Sequence, residues 1–124
     1  MNSDYQKFNQ GSNPTLTARL CDEDGKLLAR EDVFSITLTV RSISTGWIPK
    51  GFNAKTVPVE STVFGTLQTD KIWRLDSIGY NWRYTLPGTV SEPALPWKGE
   101  YRIDVVFVRK NAVPFVLQFQ CEVI

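Results

Sequence analysis

The stretch Val33-Phe34-Ser35-Ile36-Thr37-Leu38-Thr39-Val40-Arg41-Ser42-Ile43 alternates apolar and polar side chains along its whole length. Successive side chains of a strand point to opposite faces, so Phe34, Ile36, Leu38 and Val40 are expected on one face and Ser35, Thr37, Thr39 and Arg41 on the other. One apolar face and one wet face define a strand of an antiparallel sheet with a single buried side. The same rhythm returns twice near the end of the chain. In Glu100 to Arg109, Tyr101, Ile103, Val105 and Phe107 share a face. Phe115 to Ile124 repeats it with Phe115, Leu117, Phe119, Cys121 and Val123, after a tight connection at Asn111 to Pro114.

Working outward, the remaining segments read as shorter strands between turn signals. Asn13 to Cys21 places Leu16, Ala18 and Leu20 on one face, and Asp22-Glu23-Asp24-Gly25 forms a turn. Ser44 to Lys55, with Gly46, Pro49 and Gly51, is loop. Thr56 to Glu60 contains Pro58, which confines it to a sheet edge. Ser61 to Gln68 and Ile72 to Leu75 are brief strands, and Gly79 to Leu86 is a strand rich in aromatics. Pro87 to Gly99, with three prolines, is loop. Val, Ile, Thr and the aromatics make up more than a third of the residues, Ala is scarce, and no stretch keeps a 3.6-residue apolar period. The expected fold is therefore all-β, an antiparallel β-sandwich of about seven to nine strands, with a small barrel as the alternative.

The chain has 124 residues, enough for one domain with a core of its own. Residues 13–124 are assigned to that domain. Residues 1–12 are too polar to fold alone and are expected to form a flexible arm, frayed or ordered against a neighbouring subunit, with Tyr5 and Phe8 as its anchors.

Composition removes much chemistry. The chain has no histidine, hence neither the commonest general base nor the commonest metal ligand. Lys and Arg number 14 against 13 Asp and Glu, without the basic excess of a nucleic-acid binder. No phosphate-cradling glycine loop and no Gly-x-Ser-x-Gly elbow occurs. Asp22-Glu23-Asp24-Gly25 lacks the distal Glu of an EF-hand, since Val33 stands there. No catalytic residue, metal site or cofactor is assigned. Cys21 and Cys121 form no Cys-x-x-Cys pair, and strand parity sets Cys21 opposite Leu16, Ala18 and Leu20, which favours buried free thiols, with a single disulfide as the open alternative.

No apolar run approaches the about 18–20 residues of a membrane span, and the opening MNSDYQKFNQGSNP lacks the apolar core of a signal peptide. Synthesis in a cytoplasm is the expectation. The aromatics then divide. Tyr80, Trp82 and Tyr84 line one face of one strand, with the polar Asn81, Arg83 and Thr85 on the opposite, wet face: inward the aromatics fill the core, outward they form a platform for sugar rings, and burial is the commoner fate. Trp47, Phe52 and Trp97 sit in loops, where exposed aromatics mark partner contacts. Val106 and Val108 face away from the core, with Val116 and Ile124 beside them, as an apolar stripe for a loop or another subunit to cover.

The run Leu16-x-Ala18-x-Leu20-x-Asp22-x-Asp24-Gly25-Lys26, followed by Phe34-x-Ile36-x-Leu38-x-Val40, resembles immunoglobulin-like domains of bacterial surface and phage structural proteins, including the amino-terminal domains of phage baseplate upper proteins. Glu100-Tyr101-Arg102-Ile103-Asp104-Val105 is similar to the penultimate strand of such sandwiches. The resemblance covers about half of the chain, and it lacks the cysteine pair that brackets the core tryptophan of antibody domains. It implies an immunoglobulin-like sandwich working as an assembly or accessory subunit of a phage-type particle or injection structure. Its partners would be protein neighbours in a homo-oligomer or larger assembly, with no nucleic acid and no membrane. A carbohydrate-binding or surface-recognition module is the alternative.

Overall fold

The computed structural model describes residues 5–73, 75–87 and 93–124, except for the side chain of Tyr5. Eight strands are present among them: β1 Tyr5–Phe8, β2 Thr15–Ala18, β3 Val33–Ser42, β4 Lys55–Val57, β5 Val63–Gln68, β6 Tyr80–Thr85, β7 Gly99–Arg109 and β8 Phe115–Val123. They form a five-stranded sheet in the order β1-β8-β7-β3-β4 and a three-stranded sheet in the order β2-β6-β5. A short α-helix, α1 at Val59–Thr62, follows β4, and a 3-10 turn at Arg30–Asp32 leads into β3. The chain is thus all-β and sandwich-like.

The long alternating segments supply the centre of the larger sheet. β7 pairs antiparallel with β3 from Ser42↔Tyr101 to Ser35↔Val108, and with β8 from Gly99↔Val123 to Phe107↔Phe115. Ile36, Leu38, Val40, Ile103, Val105 and Phe107 are fully buried on the inner face. Leu16 and Ala18 of β2 and Trp82 of β6 meet them from the smaller sheet. Trp82 lies edge-on to Phe107, with ring centroids 5.4 Å apart, and against Phe119 at 6.2 Å. Pro58 ends β4 and caps α1, which keeps this three-residue strand at the sheet edge.

Several expectations are corrected. Phe34 is 70% exposed, because a register shift between Val33 and Ser35 breaks the alternation and turns Val33 inward in its place. The arm is not free over its whole length. Residues Tyr5–Phe8 add to the sheet edge, parallel to β8 with Gln6 opposite Cys121, so the sheet is not purely antiparallel. Phe8 is half-buried against the chain's own core rather than held out for a neighbour. Ile72, Trp73 and Leu75 lie in a loop, not a strand. Cys21 is exposed and Cys121 buried, both free.

The aromatic strand β6 also departs from simple alternation. Trp82 enters the core and Tyr84 packs at its margin. Tyr80 is buried elsewhere, with Trp73 at 5.7 Å and Phe64 at 6.2 Å between ring centroids. Asn81, expected on the wet face, is 1% exposed. Gly79 enters this strand at φ 112, and a side chain there would collide with the Gln68 carbonyl.

Candidate functional site

The loop tryptophans come together at one end of the larger sheet. Where β3 ends, the chain turns tightly. The Ser42 N–H donates to the Trp47 carbonyl at 2.8 Å and the Gly46 N–H to the Ser42 carbonyl at 2.9 Å. Gly46 takes φ 75, which its missing side chain permits. The Trp47 N–H donates to Thr45 Oγ1 at 3.2 Å. These bonds hold the Trp47 backbone while its side chain stays 46% exposed.

Trp97 is held from the other side. The Tyr101 hydroxyl accepts from the Trp97 N–H at 3.0 Å and donates to the Trp97 carbonyl at 2.9 Å. Tyr101 itself is buried at the start of β7. Burial pushes its phenol pKa upward, against the opposing hydrogen bond to Trp97, so the proton it donates stays in place. Trp97 is 63% exposed. The Ile43 N–H donates to the Glu100 carbonyl at 3.0 Å, which ties the two walls together.

Between the walls lies a groove of about 440 Å³, lined by Ser42, Thr45, Trp47, Trp97, Lys98, Gly99, Glu100 and Tyr101. Two exposed indoles on pinned backbones thus line one groove, together with the hydroxyl-bearing Ser42 and Thr45 and the charged Lys98 and Glu100. Pinning matters because a surface ordered beforehand loses less entropy when a ligand arrives.

The other candidate residues fall elsewhere. Phe52 is 2% exposed: its carbonyl accepts from the Val40 N–H at 3.0 Å, and its ring lies in the core, where no partner can reach it. Val106 and Val108 are half-buried on the outer face of β7, and Val116 beside them on β8 is 48% exposed. Tyr5 has its backbone paired with β8, but its side chain lies outside the described residues.

Among the described residues no group of three metal-ligating side chains gathers. Asp22 is occupied with its own turn, Oδ1 accepting from the Asp24 and Lys26 N–H groups, both at 2.9 Å. No helix of the described residues is long and apolar enough to cross a membrane.

Sequence reasoning singled out Trp47 and Trp97 and missed Ser42, Thr45, Lys98, Glu100 and Tyr101. Tyr101 was read only as a core residue. The four-residue step from Trp97 to Tyr101, at the entry to a long strand, is the signal that a hydroxyl could reach back to the loop.

No family model, no curated protein and no solved structure matches this chain. What its own residues define is a sandwich-like all-β protein with a two-tryptophan groove at one end.

Proposed function

We propose that the chain is a non-enzymatic immunoglobulin-like sandwich that serves as an accessory or assembly subunit and engages its partner at the Trp47–Trp97 groove. The observation that carries this reading is the exposure of two indoles whose backbones are fixed. Large aromatics left in water cost burial energy that the core could have used, and such residues anchor interfaces.

The immunoglobulin-like part rests on strand order and on Tyr101. In that fold one sheet holds the strands lettered B, E and D, the other C, F and G, with C′ added beside C in the variable type. Here β2-β6-β5 and β8-β7-β3-β4 divide in the same way. Tyr101, at the start of the strand in the F position, bonds back to the backbone four residues upstream, as a tyrosine corner does. Two departures stand beside this: the core tryptophan is on β6 rather than in the C position, and neither cysteine is bridged. The half-buried Val106 and Val108 and the exposed Phe34 and Val116 add an outer sheet face suited to protein neighbours. The setting in a phage-type particle or injection structure is proposed from the resemblance of residues 16–40.

The test is a benzophenone side chain at position 98, which lines the groove and leaves both indoles in place, with the exposed position 26 as control, in the cells that make the protein. Benzophenone inserts into C–H bonds of proteins and sugars alike. Mass-shifted adducts at 98 and none at 26 are expected. No adduct at 98, or equal adducts at both positions, would overturn the reading.

A further inference from the structure

We infer that the ligand of the Trp47–Trp97 groove is a neutral oligosaccharide; this rests on the recognition reading of that groove and names its ligand class. Three observations converge. The first is size. At about 440 Å³ the groove falls within the about 300–1,000 Å³ of small-ligand clefts, whereas a protein partner covers a broad surface patch.

The second is the kind of surface. A pyranose ring has an apolar C–H face and a rim of hydroxyls. An indole presents a wide face with negative charge density, which suits polarised C–H groups. The residues that line the groove with the two indoles include Ser42 and Thr45, which carry hydroxyls, and Lys98 and Glu100, which carry charges. Thr45 Oγ1 accepts from the Trp47 N–H, which leaves its own proton to give.

The third is charge. Among the described residues the lining holds one cation, Lys98, and one anion, Glu100. Arg41, at the same turn, spends Nη1 on the Gly46 carbonyl at 3.5 Å. An anionic ligand such as a phosphate, a sulfated sugar or a nucleic acid would find no cluster of cations here. A neutral polyol matches, and Lys98 can bond a hydroxyl.

The experiment uses the full chain with panels of neutral oligosaccharides, their sulfated or sialylated counterparts and proline-rich decapeptides, read by saturation-transfer NMR and tryptophan fluorescence. A neutral sugar should bind. Trp47→Ala and Trp97→Ala should each weaken it by about ten-fold, with the far-UV spectrum and melting temperature retained. Phe34→Ala, an exposed aromatic outside the groove, should leave affinity unchanged. Tyr101→Phe should weaken binding while both indoles remain, the mark of a positioning residue. Failure of every neutral sugar, binding indifferent to both tryptophans, or tryptophan-dependent binding of a peptide or an acidic sugar instead overturns the inference. Protein adducts at position 98 without sugar binding overturn the sugar alone, and absence of any adduct overturns the recognition reading beneath it.

Discussion

The side chain of Asn81 pairs with the backbone of Leu20 as if it were another residue of the sheet. Its Oδ1 accepts from the Leu20 N–H at 2.6 Å, and its Nδ2 donates to the Leu20 carbonyl at 3.1 Å and to the Leu28 carbonyl at 3.3 Å. β2 ends at Ala18, so the amide extends the pairing past the strand and ties both arms of the Leu20 to Leu28 turn to β6. The Leu20 carbonyl also receives the Leu28 N–H at 2.9 Å, so the Leu20 N–H is the group most dependent on Asn81. Asn81→Ala should lower stability by about 1–3 kcal/mol, the cost of leaving a buried donor unpaired. Urea unfolding should show a lower midpoint with an unchanged slope. A midpoint equal to wild type would mean that water replaces the amide.

Tyr101→Phe removes one oxygen and two hydrogen bonds, and leaves the Trp97 N–H and carbonyl to solvent. The ring stays in the core, so the loss should be about 0.5–1.5 kcal/mol rather than the larger cost of a cavity. The second readout is local: hydrogen exchange at the Trp97 amide should accelerate more than exchange in the centre of β7. Equal acceleration at both places would show a global loss of stability and no special hold on the loop.

The long strands were legible in the sequence because each buries one face only. Tyr101 to Phe107 and Leu117 to Val123 alternate without interruption, and all their inward residues are buried. The period misled where a single residue was displaced. Phe34 carries the right spacing but sits at the register shift, a choice made by tertiary pairing with β7 and invisible to alternation. Asn81 was assigned to water because it is polar. Its burial depends on a backbone partner 61 residues away, beyond the reach of any local pattern. Loop position correctly flagged Trp47 and Trp97 as exposed. The same signal failed for Phe52, because the loop folds back along β3 and carries that ring inward. The groove itself joins two loops distant in sequence, so its polar lining had no local signature.

Acid should loosen the loop between β5 and β6 through Asp76. Its carboxylate accepts from Arg19 Nη1 at 3.1 Å and Nη2 at 2.9 Å, from Trp73 Nε1 at 2.9 Å, and from the Ile78 and Gly79 N–H groups. The Arg19 contact, then the Trp73 N–H, hold Asp76 well below the usual carboxylate range. Glu23, paired with both terminal nitrogens of Arg109, is lowered from 4.5 to about 2. Both folded values lie below the unfolded ones. Their stabilisation is therefore complete above the unfolded values and is lost as pH falls from about 4 toward 2 and below. The melting temperature should hold from neutral pH to about 5 and then decline. Asp76→Asn should flatten part of that decline. Glu23→Gln should do less, because that side chain is 69% exposed and solvent screens its pair. An unchanged acid limb in both variants would remove these carboxylates from the account.

The two thiols should report separately on the fold and on its edge strand. Cys21 is exposed, so a thiol reagent on the native chain should modify it promptly and alone. Cys121 is 2% exposed and burial pushes its thiol up to about 12, so at neutral pH it is both covered and protonated. Part of that cover is β1: Gln6 pairs opposite Cys121, and Phe8 packs against the same core. A four-residue edge strand opens more readily than the central ones. Labelling of Cys121 should thus be slow, faster than global unfolding allows, and accelerated by deleting residues 1–8, while the far-UV spectrum remains that of a sheet. If the deletion leaves the rate unchanged, Cys121 is reached only through global unfolding, and β1 does not guard it. If Cys121 reacts as fast as Cys21 in the intact chain, the pairing of β1 with β8 is not maintained in solution, and residues 1–12 behave as the free arm that their polarity suggests.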